Sequence, residues 1–452
     1  MAVTAVPTVM SGAINYTFTT DTSADFPSVA NSTYFFNKAD KLVRYKDSTG
    51  TVLEIFSASG GASGIFGITN TSGVYTYYTT LTLAMTAAVS GDVIEMFSDV
   101  TETDAVSITL KDGVNINGNG YTYTLNNSGL LSAFICPTTA GIKISILNLI
   151  AIRTGSTATT FDNAVIYSSS SGNGLINCSG STFRNTGSGC GIVTLSGIEF
   201  INATCVANTD YGSLGSYNTA PTFTNCLGYS TIGVAIRMHS GGYANNCYGY
   251  SDSGVGIHSG YGGNIHSCNG ASNSGTGIQS YSVVTNSTGK SVSGVGIELN
   301  NSGVGTNCSG YSVSGAGMLI YNIAYNCVGI SSSSYGMRFG YGNIYNSISK
   351  STSSASIFNT NGLTQLYNTI IISDWNNAVG YGVVGNGAGN FPYILSNCTF
   401  TLANTSAPYL FNYSAAGAIS MRGNTYKGGA AFNVNLTQAI VNTEDNQGNI
   451  YL

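Results

Sequence analysis

Apolar residues along this chain follow the short alternation of β-strands, and between residues 205 and 360 they fall into a repeat. The repeat reads N-C-x-G-Y-S, a few small residues, then G-x-G-I. Its aliphatic anchor falls at Ile236, Ile257, Ile278, Ile297, Met318, Met337 and Ile357, at intervals of 19 to 21 residues. A second anchor falls at Cys205, Cys226, Cys247, Cys268, Ser287, Cys308, Cys327 and Ser347, and the two series lengthen and shorten together. A period near 20 residues with no helical stretch predicts a coiled strand whose turns stack about 4.8 Å apart. Leucine-rich repeats share the period but need a Leu/Asn consensus that is missing, and propeller blades need about 40 residues each. An all-β parallel β-helix is left. Alternation then assigns faces: in 257–259 the Ile points inward and the His outward.

Cys and Ser exchange within the second series, as expected where an interior stack wants a small side chain. Neighbouring rungs bring such cysteines within bridging distance, yet the Ser substitutions favour reduced thiols. With neither a CxxC motif nor paired His, no metal and no cofactor is expected. From Cys226 onward the residue before each member of that series is Asn at 225, 246, 286, 307, 326 and 346 and Ser at 267. Stacked Asn side chains bonding along the axis, or Asn chosen for left-handed turns, both account for this column.

Upstream, Leu81, Ala84, Met85 and Ala88 have helical spacing, Ser90-Gly91-Asp92 makes a turn, and 93–97 reads as a strand. Then comes Val114-Asn115-Ile116-Asn117-Gly118-Asn119-Gly120. This succession resembles the opening of pectate-lyase-like right-handed β-helix proteins, in which a short helix caps the first rung against edge pairing. The resemblance spans residues 76–430 and implies a right-handed parallel β-helix with the capping helix near 81–88, regular short coils over 205–360 and longer coils on either side. Residues 431–452 are left as a C-terminal cap or tail. Residues 1–75 differ: they hold 9 of the 33 charged residues, the other 24 lying in the remaining 377. Segments 34–36, 41–45 and 51–56 read as strands, with a turn at 46–50 and a Gly/Ser-rich linker at 57–67. A small β-rich N-terminal domain therefore precedes the β-helix.

Only 7% of residues are charged, yet 42% are apolar, with 30 Tyr and 18 Phe, so a packed core is available. No apolar run reaches the roughly 18 residues of a membrane span, and the N-terminus lacks the basic and apolar regions of a secretory signal. A net charge of −5 with sparse Lys and Arg argues against nucleic acid. Pectate-lyase-like folds host lyases and hydrolases, and hydrolysis needs two carboxylates about 5–10 Å apart. Between 205 and 360 the only acids are Asp210, Asp252 and Glu298, and no catalytic residue is assigned. Two outward columns are glycan- or receptor-binding candidates. One follows the aliphatic anchor: Arg237, His258, Gln279, Glu298 and Arg338, with Leu319 and Phe358. The other lies three residues after the cysteines: Tyr229, Tyr250 and Tyr311, with Ala271, Lys290, Ile330 and Lys350. The first offers hydrogen bonds to sugar hydroxyls, the second aromatic faces for pyranose rings. Solvated or subunit-facing side chains are the preferred account of both columns, Tyr being common on β-surfaces.

The whole resembles a bacteriophage tailspike or fibre. That resemblance implies a virion protein made in host cytoplasm, an N-terminal domain docked on the particle, and a β-helix that meets a host-surface glycan or outer-membrane receptor. Its rival is a depolymerase cutting capsule or lipopolysaccharide. A homotrimer is expected from the column one residue after the cysteines (Leu227, Tyr248, Asn269, Thr288, Ser309, Val328, Ile348), where four of seven outward side chains are apolar or aromatic.

Overall fold

The computed structural model describes residues 33–37, 42–46, 52–57, 65–69, 75–103, 107–126, 132–154, 164–168, 173–187, 189–195, 197–207, 214–216, 220–340, 342–359, 364–374, 381–385, 393–402, 409–413, 418–427, 433–436, 440–441 and 450–451. Two compact units emerge, Met1–Thr86 and Ala87–Leu452. In the first, Thr33–Asn37, Leu42–Lys46 and Val52–Ser57 form an antiparallel three-stranded sheet, as the alternation predicts. The Gly/Ser-rich linker largely lies outside the described residues. Its last two positions, Phe66 and Gly67, instead begin a strand, Phe66–Thr69, that pairs antiparallel with Tyr75–Tyr78. The helix is Leu81–Ala87, its first turn closed by the Leu83 N–H donating to Thr80 Oγ1 (3.2 Å), and Leu81, Ala84, Met85 and Ala88 are all buried.

The second unit is the parallel β-helix. Among the described residues its first sheet has 16 strands, from Val100–Thr103 to Ile450–Tyr451, and its second has 15, from Ile108–Thr109 to Asn433–Leu436. A third sheet runs from Val93–Met96 to Ile440–Val441, so parallel pairing continues past residue 430. The aliphatic anchors pair in unbroken register along the second sheet, from Ile236 to Ile357, and each is 0% exposed.

Most rungs turn from the third sheet into the first through an Asn in left-handed backbone, φ 53° at Asn225 and 51° at Asn246, with Ser267 alike at 52° and Gly180 and Gly423 taking the place in two other rungs. Asn tolerates that conformation better than most residues. The same side chains bond along the axis: Asn246 Nδ2 donates to Asn225 Oδ1 (2.8 Å), and Asn326 Nδ2 to Asn307 Oδ1 (3.2 Å). The two accounts of the Asn column thus hold together.

The next residue is the interior corner, and here the Cys/Ser exchange has a sharper cause than size. The Cys226 N–H donates to Cys247 Sγ (3.4 Å) and the Cys247 N–H to Cys268 Sγ (3.3 Å). Where Ser takes the corner, the N–H of the preceding rung donates to its hydroxyl, as Cys268 does to Ser287 (3.0 Å) and Cys327 to Ser347 (3.0 Å). The site wants a small acceptor. Cys205 does not belong to this column: it pairs with Gly228, two positions along the first sheet, and the corner of its rung is Ala203, which follows left-handed Asn202. Cys398 takes the sixth place in the column, its N–H donating to Asn424 Oδ1 (2.8 Å). All six corner thiols are buried, and burial pushes Cys398 up to about 11. Thiol labelling of the native protein therefore leaves them unreacted. Cys247→Ser keeps stability within about 0.5 kcal/mol, whereas Cys247→Ala strands the Cys226 N–H and costs about 1–3 kcal/mol by denaturant titration.

The Ser of the G-Y-S motif also faces inward. Ser251 Oγ donates to the Gly233 carbonyl (2.6 Å) and accepts from the Gly254 N–H (2.8 Å), and Ser272 repeats this with Gly254 (2.7 Å) and Gly275 (2.8 Å). These bonds tie the turn between first and second sheets to its neighbour. Beside them, Gly228, Gly249, Gly270, Gly289, Gly310 and Gly329 face the interior, where any Cβ would meet the backbone of the second sheet. The two sheets therefore approach closely through this stretch. From Ile371 and Phe400 onward the same column is filled by large side chains.

Candidate functional site

The two candidate columns lie on different sheets. Tyr229, Tyr250 and Tyr311 are in the first sheet, and Arg237, His258, Gln279, Glu298 and Arg338 in the second, so the structure does not gather them into one site.

Along the first sheet the expected free aromatic faces are only partly present. Tyr229 and Tyr250 stack on each other, ring centroids 5.5 Å apart at 13°, so the faces between them are occupied. Their hydroxyls are occupied too: Tyr229 donates to Asp252 Oδ2 (2.7 Å) and Tyr250 to Asp252 Oδ1 (2.9 Å). Asn273 Nδ2 donates to both Tyr250 Oη (2.7 Å) and Asp252 Oδ1 (3.1 Å). Asp252 is thereby a clasp for the turn and the Tyr pair. The Tyr229 hydroxyl is held above the ordinary phenol range by its bond to that carboxylate.

The stack stops at the next rung, where the column holds Ala271 (register Tyr250↔Ala271↔Lys290↔Tyr311). Over Ala271 opens a groove of about 400 Å³, lined by Tyr250, Ala271, Lys290, Tyr311 and, from the turns, Val292 and Val313, among others. From Tyr250 to Lys290 is two strand spacings, about 10 Å, which is room for one sugar ring on the far face of Tyr250. Tyr311 is 37% exposed on the other side. The arrangement is an aromatic-walled slot with an ammonium group beside it and no carboxylate among its lining residues.

The second-sheet column is more tightly engaged than an open hydrogen-bonding surface. Gln279 Nε2 donates to Glu298 Oε2 (3.0 Å), and burial holds the Glu298 carboxyl above its usual range. Arg338 lies 5.7 Å over the Phe358 ring, itself stacked on Tyr335 at 4.4 Å, and Leu319 is buried. Burial, then the like charges of Arg237 and His239, push His258 down to about 4. His266 Nδ1 is 2.7 Å from Thr285 Oγ1, and His239 is exposed beside Ser240.

Asp252 precedes the Ile257 rung while Glu298 lies in the Ile297 rung, on another sheet. Two rungs of axial separation, about 10 Å, already reach the upper limit of the carboxylate spacing of hydrolases, and the lateral offset between the two positions adds to it. Among the described residues no three His, Cys, Asp or Glu side chains could hold a metal.

Sequence reasoning missed one feature. Tyr325, Tyr345 and Tyr367 stack along the third sheet, centroids 4.9 Å apart at 14° and 5.1 Å apart at 3°. Its signal was a Tyr immediately before the left-handed Asn in three successive coils.

No protein-family model matches the chain, and no curated protein matches it. Among solved structures it is similar to the Azotobacter vinelandii mannuronan C-5 epimerase AlgE6 A-module, at 12% identity over 82% of this chain and 93% of that one, with a TM-score of 0.30. At that level the likeness bears on neither chemistry nor ligand.

Proposed function

We propose that this chain is a bacteriophage fibre or spike protein whose β-helix binds a host-surface glycan without cleaving it, through the groove over Ala271. The observation that carries the reading is the interruption of the Tyr column by Ala271, which leaves the far face of Tyr250 opposite Lys290 and Tyr311. Aromatic faces framed by a few polar groups suit saccharides, whose rings present apolar C–H faces and polar edges. The N-terminal unit is assigned to particle attachment by resemblance alone. Trimer assembly through Leu227, Tyr248 and their column remains compatible with this use. That column begins the first-sheet strands at the Asn corner, whereas the groove lies toward their turn end, and Leu227 and Tyr248 are 40% and 42% exposed.

A glycan panel drawn from bacterial capsules and lipopolysaccharides tests the reading. The native protein binds at least one member, and Tyr311→Ala weakens that binding about tenfold, roughly 1.4 kcal/mol. Binding of no member, or undiminished binding by Tyr311→Ala, rejects the groove. Glu298 is the observation that favours a depolymerase, since a carboxyl held above its usual range suits a general acid. Release of reducing ends from the bound glycan would establish that rival, and none is expected. Native mass at three times 46.6 kDa supports the trimer, and a stable monomer at micromolar concentration contradicts it.

A further inference from the structure

We propose that Arg237, His239 and His258, flanked by Tyr261 and Tyr281, form a second subsite, one that takes an anionic sugar bearing a carboxylate or a sulfate ester. It lies on the second sheet and the turn leading to the third, apart from the groove over Ala271. Arg237 and His258 are register partners on adjacent strands, and His239 follows the Arg237 strand directly. In the turn, the position occupied by His239 on one rung is Gly260 on the next and Tyr281 on the one after, each N–H donating back to the preceding strand (Gly260 to the Met238 carbonyl, 2.8 Å; Tyr281 to the Ser259 carbonyl, 3.0 Å). A side chain at Gly260 would run into the His239 carbonyl, so Gly is required at this rung and no side chain stands between His239 and Tyr281 in that position of the turn. Tyr261 is 62% exposed, its ring 5.1 Å from Tyr281 at 48°, and Tyr281 meets His258 edge-on at 6.1 Å.

Charge decides the ligand class. This chain has only 14 Lys and Arg, yet three basic side chains converge here, and the charges acting on His258, Arg237 and His239, are both cationic. The following strand offers the neutral Gln279, which is itself bonded to Glu298 one rung farther on. His258 Nδ1 is buried with no hydrogen-bond partner among the described residues, so it has no acceptor there to favour its protonation. An anion held beside Arg237 and His239 offsets the repulsion and lets His258 take up a proton. Binding therefore strengthens as pH falls from 7 toward the value of about 4 that His258 has in the free protein.

The full chain is titrated with dextran sulfate, with a polyglucuronate and with neutral dextran at pH 7 and pH 5. Binding of either acidic polymer but not neutral dextran, tightening severalfold at pH 5, is expected, and the two acidic arms tell sulfate from carboxylate recognition. Arg237→Gln weakens binding about tenfold. The pH effect is reduced in His258→Gln and lost when both His239 and His258 are replaced by Gln, while Ala271→Tyr, which fills the other groove, leaves all of it unchanged. Equal binding of neutral dextran overturns the proposal. So does unaltered affinity in the Arg237→Gln, His239→Gln double variant, whose His239 change is at an exposed position that folding tolerates.

Discussion

Gly270→Val lowers the stability of the protein by about 3 kcal/mol or more, with the loss concentrated in the coils around residue 270. A Cβ at this position would run into the Gly277 carbonyl oxygen and would stand 2.5 Å from Ile278 Cγ1 and 2.8 Å from the Gly277 carbonyl carbon. Two of these three atoms are backbone of the facing sheet, so no rotamer change relieves the clash. The flanking rungs place Gly249 and Gly289 under the same constraint, against the Gly256 and Gly296 carbonyls, so displacement cannot be passed along the axis. A stacked-coil protein is held mainly by nearest-neighbour interfaces, which confines the damage. Amide hydrogen exchange of Gly270→Val then shows weakened protection over residues 249–298 and near-native protection beyond residue 364. Uniform protection and an unchanged denaturation midpoint would contradict the close approach of the two sheets.

Much of this architecture was legible from the chain because one-residue alternation and a 19-to-21-residue period leave little freedom once Ile and Met must sit inside. Ile236 to Ile357 are fully buried in continuous register for that reason. The corner series was read one member too far. Cys205 stands 21 residues before Cys226 and is just as buried, because an interior Gly position of the first sheet also accepts a small side chain. Only the left-handed Asn202, two residues before the expected Asn position, marks the true corner.

The site was less legible. Alternation showed that Tyr229 and Tyr250 face outward. It did not show that rungs so near one another let successive tyrosines consume each other's faces, nor that Asp252 binds both hydroxyls. Ala271 looked like a weak member of a binding column, yet its small size is what opens the groove. Nor does spacing reveal that the turn tied by Ser230 and Ser251 places the Tyr and Arg columns on separate sheets.

Ala271→Tyr leaves the fold intact and removes glycan binding. Residue 271 points away from the core in the same strand whose residue 270 faces it, so a large side chain meets no backbone there. The new ring continues the Tyr229–Tyr250 stack by one rung, and that added contact is worth about 0.5–1.5 kcal/mol, enough to keep the denaturation midpoint at or above the native value. The same ring occupies the slot between Tyr250 and Lys290 where the sugar is proposed to lie. One side-by-side measurement tests the central claim most directly: calorimetric titration of native protein and Ala271→Tyr, matched in stability, with the glycan selected by the panel. The groove predicts loss of affinity by at least about a hundredfold, roughly 2.7 kcal/mol. Equal affinity in the two proteins would place the glycan elsewhere on the β-helix.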